Sequence, residues 1–193
     1  MRLADRTAIE HKLRDLDAIP AEPILETNTY YDTSEGRLKS SGQGLRIRAT
    51  QVSDGPPVVR ITHKGPRAQG QLKCRQETEV QVADARAAHQ LLDVLGFAPQ
   101  LGFEKRRRPW TLADCRVDLD TVPHLGQFVE IEGPTHEAVL NVRGKLDLHT
   151  APLIRASYAA MLSRYISDNQ LPSTVICFEP DAGALERTAP NGP

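Results

Sequence analysis

Phe128-Val129-Glu130-Ile131-Glu132-Gly133 is the stretch that decides the fold. Successive side chains of a strand point to opposite faces, so Val129 and Ile131 point one way and Glu130 and Glu132 the other. The same alternation recurs outward along the chain. Arg46 and Arg48 alternate with Leu45 and Ile47, and Arg60 and Lys64 with Val59 and Ile61. Arg75, Glu77 and Glu79 share a face, as do Lys105 and Arg107. Arg116, Asp118 and Asp120 lie opposite Val117 and Leu119. Eight basic and six acidic side chains thus occupy matching faces of six candidate strands.

In a single strand this pattern means a sheet with one wetted face and one core face. Two features of the whole set point further. The cations are mostly arginine, whose planar fork suits phosphate and carboxylate. The carboxylates come at i, i+2 spacing, which puts two on one face to share a hard cation. Basic side chains beside paired carboxylates suit a metal–polyphosphate complex. The expected architecture is α+β: a sheet curled into a barrel, charged face inward, with helices covering its apolar outside.

Composition narrows the function classes. The chain has 193 residues and a formal net charge of -1, so no global field draws it to nucleic acid or anionic membrane. Aromatic residues make up 5%, too few for a base-stacking platform. No apolar run is long enough to span a bilayer, and no signal-peptide pattern opens the chain. Cys74, Cys115 and Cys177 are odd in number and widely spaced, which predicts free thiols in a reducing cytoplasm. No His lies at zinc-ligand spacing from any of them.

In chain order, Asp5 and a Thr7-x-x-Glu10 capping box open a first helix with a stripe of Ile9, Leu13 and Leu16. Residues 24–33 read as a strand and 38–44 as a short connection. Strands at 45–51 and 57–64 form a hairpin around Ser53-Asp54-Gly55-Pro56. Residues 65–70 read as a mobile polar loop over a site, and 71–82 as a long strand. Asp84 caps a helix with Ala88, Leu91, Leu92 and Leu95 as its buried face, ended by Gly96. Strands at 103–112 and 115–122 make another hairpin, in which Trp110 packs. Thr135 caps a third helix with Val139, Val142 and Leu146 along one side, and a last helix is expected over 152–169. Residues 174–178 read as a short final strand. One domain over 1–178 and a disordered tail over 179–193 follow.

These motifs resemble the CYTH superfamily, the triphosphate tunnel metalloenzymes. The resemblance covers roughly residues 1–168. It rests on Tyr30-Tyr31-Asp32-Thr33, Leu45-Arg46-Ile47-Arg48, Thr62-His63-Lys64-Gly65-Pro66, Arg75-x-Glu77-x-Glu79, Lys105-x-Arg107, Asp118-x-Asp120, the Glu130/Glu132 stretch and Ser157-Tyr158. Each alone is weak; their order and spacing together are specific. The Tyr-Tyr-Asp-Thr and Thr-His-Lys-Gly-Pro segments are most similar to the branch labelled class IV adenylyl cyclase.

The resemblance implies an eight-stranded antiparallel tunnel with a charged lumen, on which magnesium or manganese and a triphosphate meet. Carried over by motif, Arg46, Arg48, Lys64, Arg75, Lys105 and Arg107 form the phosphate clamp, with Lys64 and Arg107 nearest the chemistry. Glu130 and Glu132 are the first metal ligands; Asp118, Asp120, Glu77 and Glu79 are second candidates, several of them expected to pair with clamp arginines instead. Members are often dimers, so a homodimer is an expectation of the resemblance alone.

One departure concerns the first strand. The family carries Glu-x-Glu-x-Lys there, and this chain opens with Met1-Arg2-Leu3, which looks like the truncated end of that strand. Either the true start lies upstream, which is the favoured reading, or the metal site is half built.

Three readings follow. The first is an enzyme that turns ATP into cyclic AMP and pyrophosphate, or hydrolyses tripolyphosphate, thiamine triphosphate or a nucleoside triphosphate to orthophosphate. The second is a binding module for polyphosphate or nucleotide without turnover. The third is a solvated sheet with no ligand.

Overall fold

The computed structural model describes residues 1–66 and 75–179. Most of the expected 65–70 loop, the first part of the 71–82 strand, Cys74 and nearly all of the 179–193 tail lie outside the described residues. The strands are β1 (Ile19–Pro20), β2 (Ile24–Asp32), β3 (Gly44–Val52), β4 (Val58–Lys64), β5 (Glu77–Val82), β6 (Ala98–Leu112), β7 (Cys115–Val122), β8 (Gly126–Glu132) and β9 (Val175–Ile176). The helices are α1 (Arg6–Asp15), α2 (Arg37–Ser40), α3 (Ala85–Val94), α4 (His136–Lys145) and α5 (Tyr158–Asp168).

The main sheet runs β5-β4-β3-β2-β6-β7-β8, antiparallel throughout. The 15-residue β6 lies between β2 and β7 and also pairs with β1 and β9. Register places the charged residues in line: Lys64 faces Glu77, Thr62 faces Glu79, Lys105 faces Glu26, Arg107 faces Asp120, and Asp118 faces Glu130. The α+β class and the inward charged face are as the alternation predicts. The sheet is curled, because one cavity draws its walls from every strand between β5 and β8. It is not closed: among the described residues no ladder joins β5 to β8. The edge of β8 is met by the chain start, where Met1 and Val129 exchange backbone hydrogen bonds and Leu3 N donates to Gln127 O, each at 2.8 Å. Arg2 forms an isolated antiparallel bridge with Phe128 there.

Three apolar clusters hold the sheet. Val117, Leu119 and Val129 turn outward and pack with Ile9 and Leu13 of α1 and Val142 and Leu146 at α4. Ile47 and Val59 meet Ala88 and Leu92 of α3. A third cluster lies on the concave side: Leu101, Phe103 and Phe128 pack against Leu162 of α5, which thereby covers one end of the charged face. Leu162 is fully buried, and such a side chain contributes about 1.5–3 kcal/mol.

Local details differ from expectation in four places. Asp5 alone caps α1, since its carboxylate accepts from Ala8 N while Glu10 pairs with Arg6 rather than closing a box. A short helix, α2, replaces the expected connection at 38–44. Leu91 and Leu95 are 55% and 61% exposed, so only Ala88 and Leu92 form the buried stripe of α3. The last helix starts at Tyr158, capped by the Ser157 hydroxyl, rather than at 152. No helix among the described residues is long and apolar enough to cross a membrane.

Candidate active site

The concave face encloses a cavity of about 810 Å³, lined by eight basic and five acidic side chains. Every residue of the expected clamp lines it: Arg46, Arg48, Lys64, Arg75, Lys105 and Arg107. So do Glu77, Glu79, Glu130 and Glu132. Asp118 and Asp120 lie beneath its floor, both fully buried.

The floor is an ion network. Arg107 Nε donates to Asp120 Oδ1 at 2.6 Å and Nη2 to Asp120 Oδ2 at 2.7 Å, a two-pronged contact. Its Nη1 reaches Asp118 Oδ2, and Nη2 also reaches Glu130 Oε2 at 2.6 Å. Lys105, 2% exposed, sits 3.0 Å from Glu26 Oε2 and 3.3 Å from Asp120 Oδ2. Tyr158 of α5 donates its hydroxyl to Asp120 Oδ2 at 3.0 Å and lays its ring 5.4 Å from the Lys105 ammonium.

Charge states follow from this packing. Burial pushes the Asp120 carboxyl up, but the Arg107 hydrogen bonds, Lys105 and Tyr158 outweigh it and hold it below the ordinary value. Glu26 is held low in the same way, against its own burial, by Lys105, Arg48 and Arg107. Burial dominates at Asp118 and raises it despite Arg107 and Arg116. Burial also lowers Lys105 and Lys64, with Asp120 and Glu26 opposing at the first and Glu77 at the second.

The wall formed by β3, β4 and β5 is looser. Lys64 Nζ lies 2.5 Å from Glu77 Oε2, and Arg75 Nε lies 3.4 Å from Glu77 Oε1. Arg48 donates to Asn28 Oδ1 at 2.7 Å and to Glu26 Oε1 at 3.0 Å. Arg46 is different. It is 6% exposed, its Nη2 contacts only the Thr62 hydroxyl at 3.4 Å, and its Nε is buried without a hydrogen-bond partner. No carboxylate among the described residues pairs with it.

On the far side, Glu130 and Glu132 project from β8 into the cavity. Glu130 is tied to Arg107; Glu132 is exposed and has no ionic partner among the described residues. Two carboxylates make a donor set of hard oxygens, which suits magnesium or manganese. Among the described residues no three His, Cys, Asp or Glu side chains converge as a ready cage. A cation held here would take its remaining ligands from water and substrate oxygens, as magnesium does at phosphate sites.

Sequence reasoning missed Glu26, Asn28 and Thr62, all buried, as members of the network. Glu26, Asn28 and Tyr30 share one face of β2, but Ile24 lies on it too, so strand period alone did not mark that face as charged.

Comparison with known proteins agrees with this geometry. The CYTH domain family model matches residues 2–155. An adenylate cyclase CyaB of Aeromonas hydrophila is 27% identical over 180 residues, spanning 83% of this chain and 90% of that protein. A protein of Methanocaldococcus jannaschii is 23% identical over 167 residues, spanning 82% and 93%. Among solved structures, a Pyrococcus horikoshii protein superposes with a TM-score of 0.73 at 28% identity, covering 83% of this chain and 95% of its own.

Proposed function

The chain belongs to the CYTH domain family, and on that premise we propose that it is a divalent-metal-dependent enzyme that binds a triphosphate on its concave face and converts ATP into cyclic AMP and pyrophosphate. The observation that carries the reading is Arg46. A buried guanidinium with no carboxylate in contact among the described residues is costly, and buried polar groups nearly always have partners. The partner that suits Arg46 is an anion entering the cavity, and Arg48, Lys64 and Arg75 stand around the same space.

The roles divide by how tightly each cation is held. Arg46, Arg48 and Arg75 bind and align the triphosphate. Lys64, whose ionic partner among the described residues is Glu77, neutralises charge on the departing pyrophosphate. Lys105 and Arg107 are locked by carboxylates, so they set the potential of the floor, and Arg107 orients Glu130. Glu130 and Glu132 would hold the cation, which when bound supplies charge neutralisation at the phosphate oxygens. Asp118, Asp120, Glu77 and Glu79 orient the basic side chains. In the reaction, a ribose hydroxyl oxygen bonds to the α-phosphorus, the bond to the pyrophosphate oxygen breaks, and the hydroxyl proton passes to a lining carboxylate. The name of the Aeromonas relative favours this outcome over hydrolysis.

Phosphorus NMR of the purified chain with ATP, then with tripolyphosphate, in magnesium tests the proposal. Cyclic AMP with pyrophosphate and no orthophosphate is expected. Orthophosphate instead would make the chain a triphosphatase on the same clamp. Absence of product together with no thermal shift on adding tripolyphosphate would remove the whole reading, since a specific ligand stabilises the folded state by mass action. Lys64→Ala is expected to lower turnover severely, and near-normal turnover in that variant would sink the assigned clamp.

A further inference from the structure

The convex side of the sheet carries a second cavity, of about 610 Å³. Strand alternation builds it. Lys105 and Arg107 turn into the concave face, so Arg106 and Arg108 turn outward from the same strand. Arg6 from α1 and Thr121 from β7 join them, and Pro23 and Leu25 supply an apolar wall. Among the described residues no acidic side chain lines it.

Arg108 is the informative member. It is half-buried, yet its Nε is shielded from solvent without a hydrogen-bond partner. Among the described residues it contacts no carboxylate, whereas Lys105 and Arg107 on the other face each hold two or more. Its guanidinium lies 5.8 Å from the Trp110 ring centroid, and Trp110 is 2% exposed, so its direction is set by packing. Arg6 is aimed as well: Glu10 accepts from its Nε at 2.8 Å and Thr121 Oγ1 from its Nη1 at 3.2 Å. Because the Thr121 oxygen accepts from Arg6, its own O–H is left to donate.

We propose that this convex cavity is a second anion site, separate from the concave face, which takes a phosphate-bearing ligand of the pyrophosphate class through Arg108, Arg6 and the Thr121 hydroxyl. Guanidinium forks match the spacing of phosphate oxygens, and an unneutralised, partly desolvated fork binds them more strongly than a solvated one. The cavity is larger than one phosphate needs, and its Pro23–Leu25 side accepts an apolar substituent. The proposal does not rest on the concave-face function, although Ile24 and Arg107 border both cavities.

Calorimetric titration of the full chain with inorganic pyrophosphate, in metal-free buffer, reads both sites. Two molecules bound per chain are expected. Arg46→Ala should remove the concave one and leave the other. Arg108→Gln should weaken the convex one roughly tenfold, the loss of a charge-assisted contact, and leave the concave one. Thr121→Val keeps the side-chain volume and covers the case in which Arg108→Gln does not fold, which circular dichroism shows. A second arm uses ADP. Equal affinities for ADP and pyrophosphate, each sensitive to Arg108→Gln, mean that phosphates alone are recognised; tighter ADP with the same sensitivity means that the apolar wall takes the nucleoside. Binding of one pyrophosphate per chain that Arg46→Ala removes and Arg108→Gln does not weaken, or of a second that neither Arg108→Gln nor Thr121→Val weakens, would overturn the proposal.

Discussion

Arg107 shows how one side chain organises the site. Its guanidinium meets Asp118, Asp120 and Glu130 at once and is 8% exposed. Removing it leaves two fully buried carboxylates without their main counter-charge. Breaking a buried ion pair from one side costs about 3–5 kcal/mol, far more than deleting a surface pair. Arg107→Met is therefore expected to lower the unfolding free energy by that order, read from urea denaturation. A loss under about 1 kcal/mol would mean that the floor network relaxes and does not organise the site. The cations of this network were legible in the sequence because Arg46, Arg48, Lys105 and Arg107 alternate with apolar residues or follow strand spacing. Glu26 and Asn28 were not. Their face of β2 also carries Ile24 and Tyr30, while the opposite face carries Thr27 and Thr29, so the contrast between faces disappears.

At the scale of elements, the junction of β8 and α4 explains why Gly133 follows the two glutamates. A Cβ there would lie 2.6 Å from Cys115 Sγ and 3.1 Å from Val139 Cγ2. Cys115 opens β7 and is 1% exposed, so the sulfur has little room to withdraw. Gly133→Ala is expected to cost about 1–3 kcal/mol, as overpacking does. Adding Cys115→Ala should recover most of that loss, and chemical denaturation of the single and double variants checks it; equal losses in both would place the strain elsewhere. The strands and most caps were readable because alternation and capping act over a few residues. Asp5, Asp84 and Thr135 all cap as their positions predict. The short α2 was not readable, because its backbone donors at Leu38 and Lys39 are met by Asp32, several residues upstream across a turn. The exposure of Leu91 and Leu95 was equally hidden, since helical period marks an apolar stripe without saying how wide the sheet beneath it is. Openness between β5 and β8 is a property of pairing between distant strands, which alternation within each strand does not encode.

For the whole molecule, near-neutral net charge conceals a strong separation of charge. Apolar clusters occupy the convex side and one end, and the centre is a lattice of ions. Stability must then depend on pH in a direction that the lattice sets. Asp120, Glu26 and Glu77 titrate below their ordinary values when folded. Carboxyls of that kind contribute stability that is fully present above their unfolded values, near pH 4, and is lost as pH falls through their folded values. Asp118 works the other way: its folded value is raised, so the cost of keeping it charged is relieved as pH drops through that value. Three depressed carboxyls against one raised make loss the net outcome in acid. Lys105 and Lys64 are depressed as well, and for a lysine this means that folding is opposed while the group must stay charged. That opposition fades as pH rises through the folded values toward the unfolded one near 10. The urea midpoint should accordingly hold from neutral pH down to about 4 and fall steeply below it. Glu26→Gln should make the acid fall shallower while lowering the neutral midpoint, because it removes one carboxyl from the titration and one partner from Lys105. A midpoint unchanged down to about pH 3 would show that these carboxyls are not held below their unfolded values in the folded protein, and the ion lattice beneath the cavity would have to be redrawn.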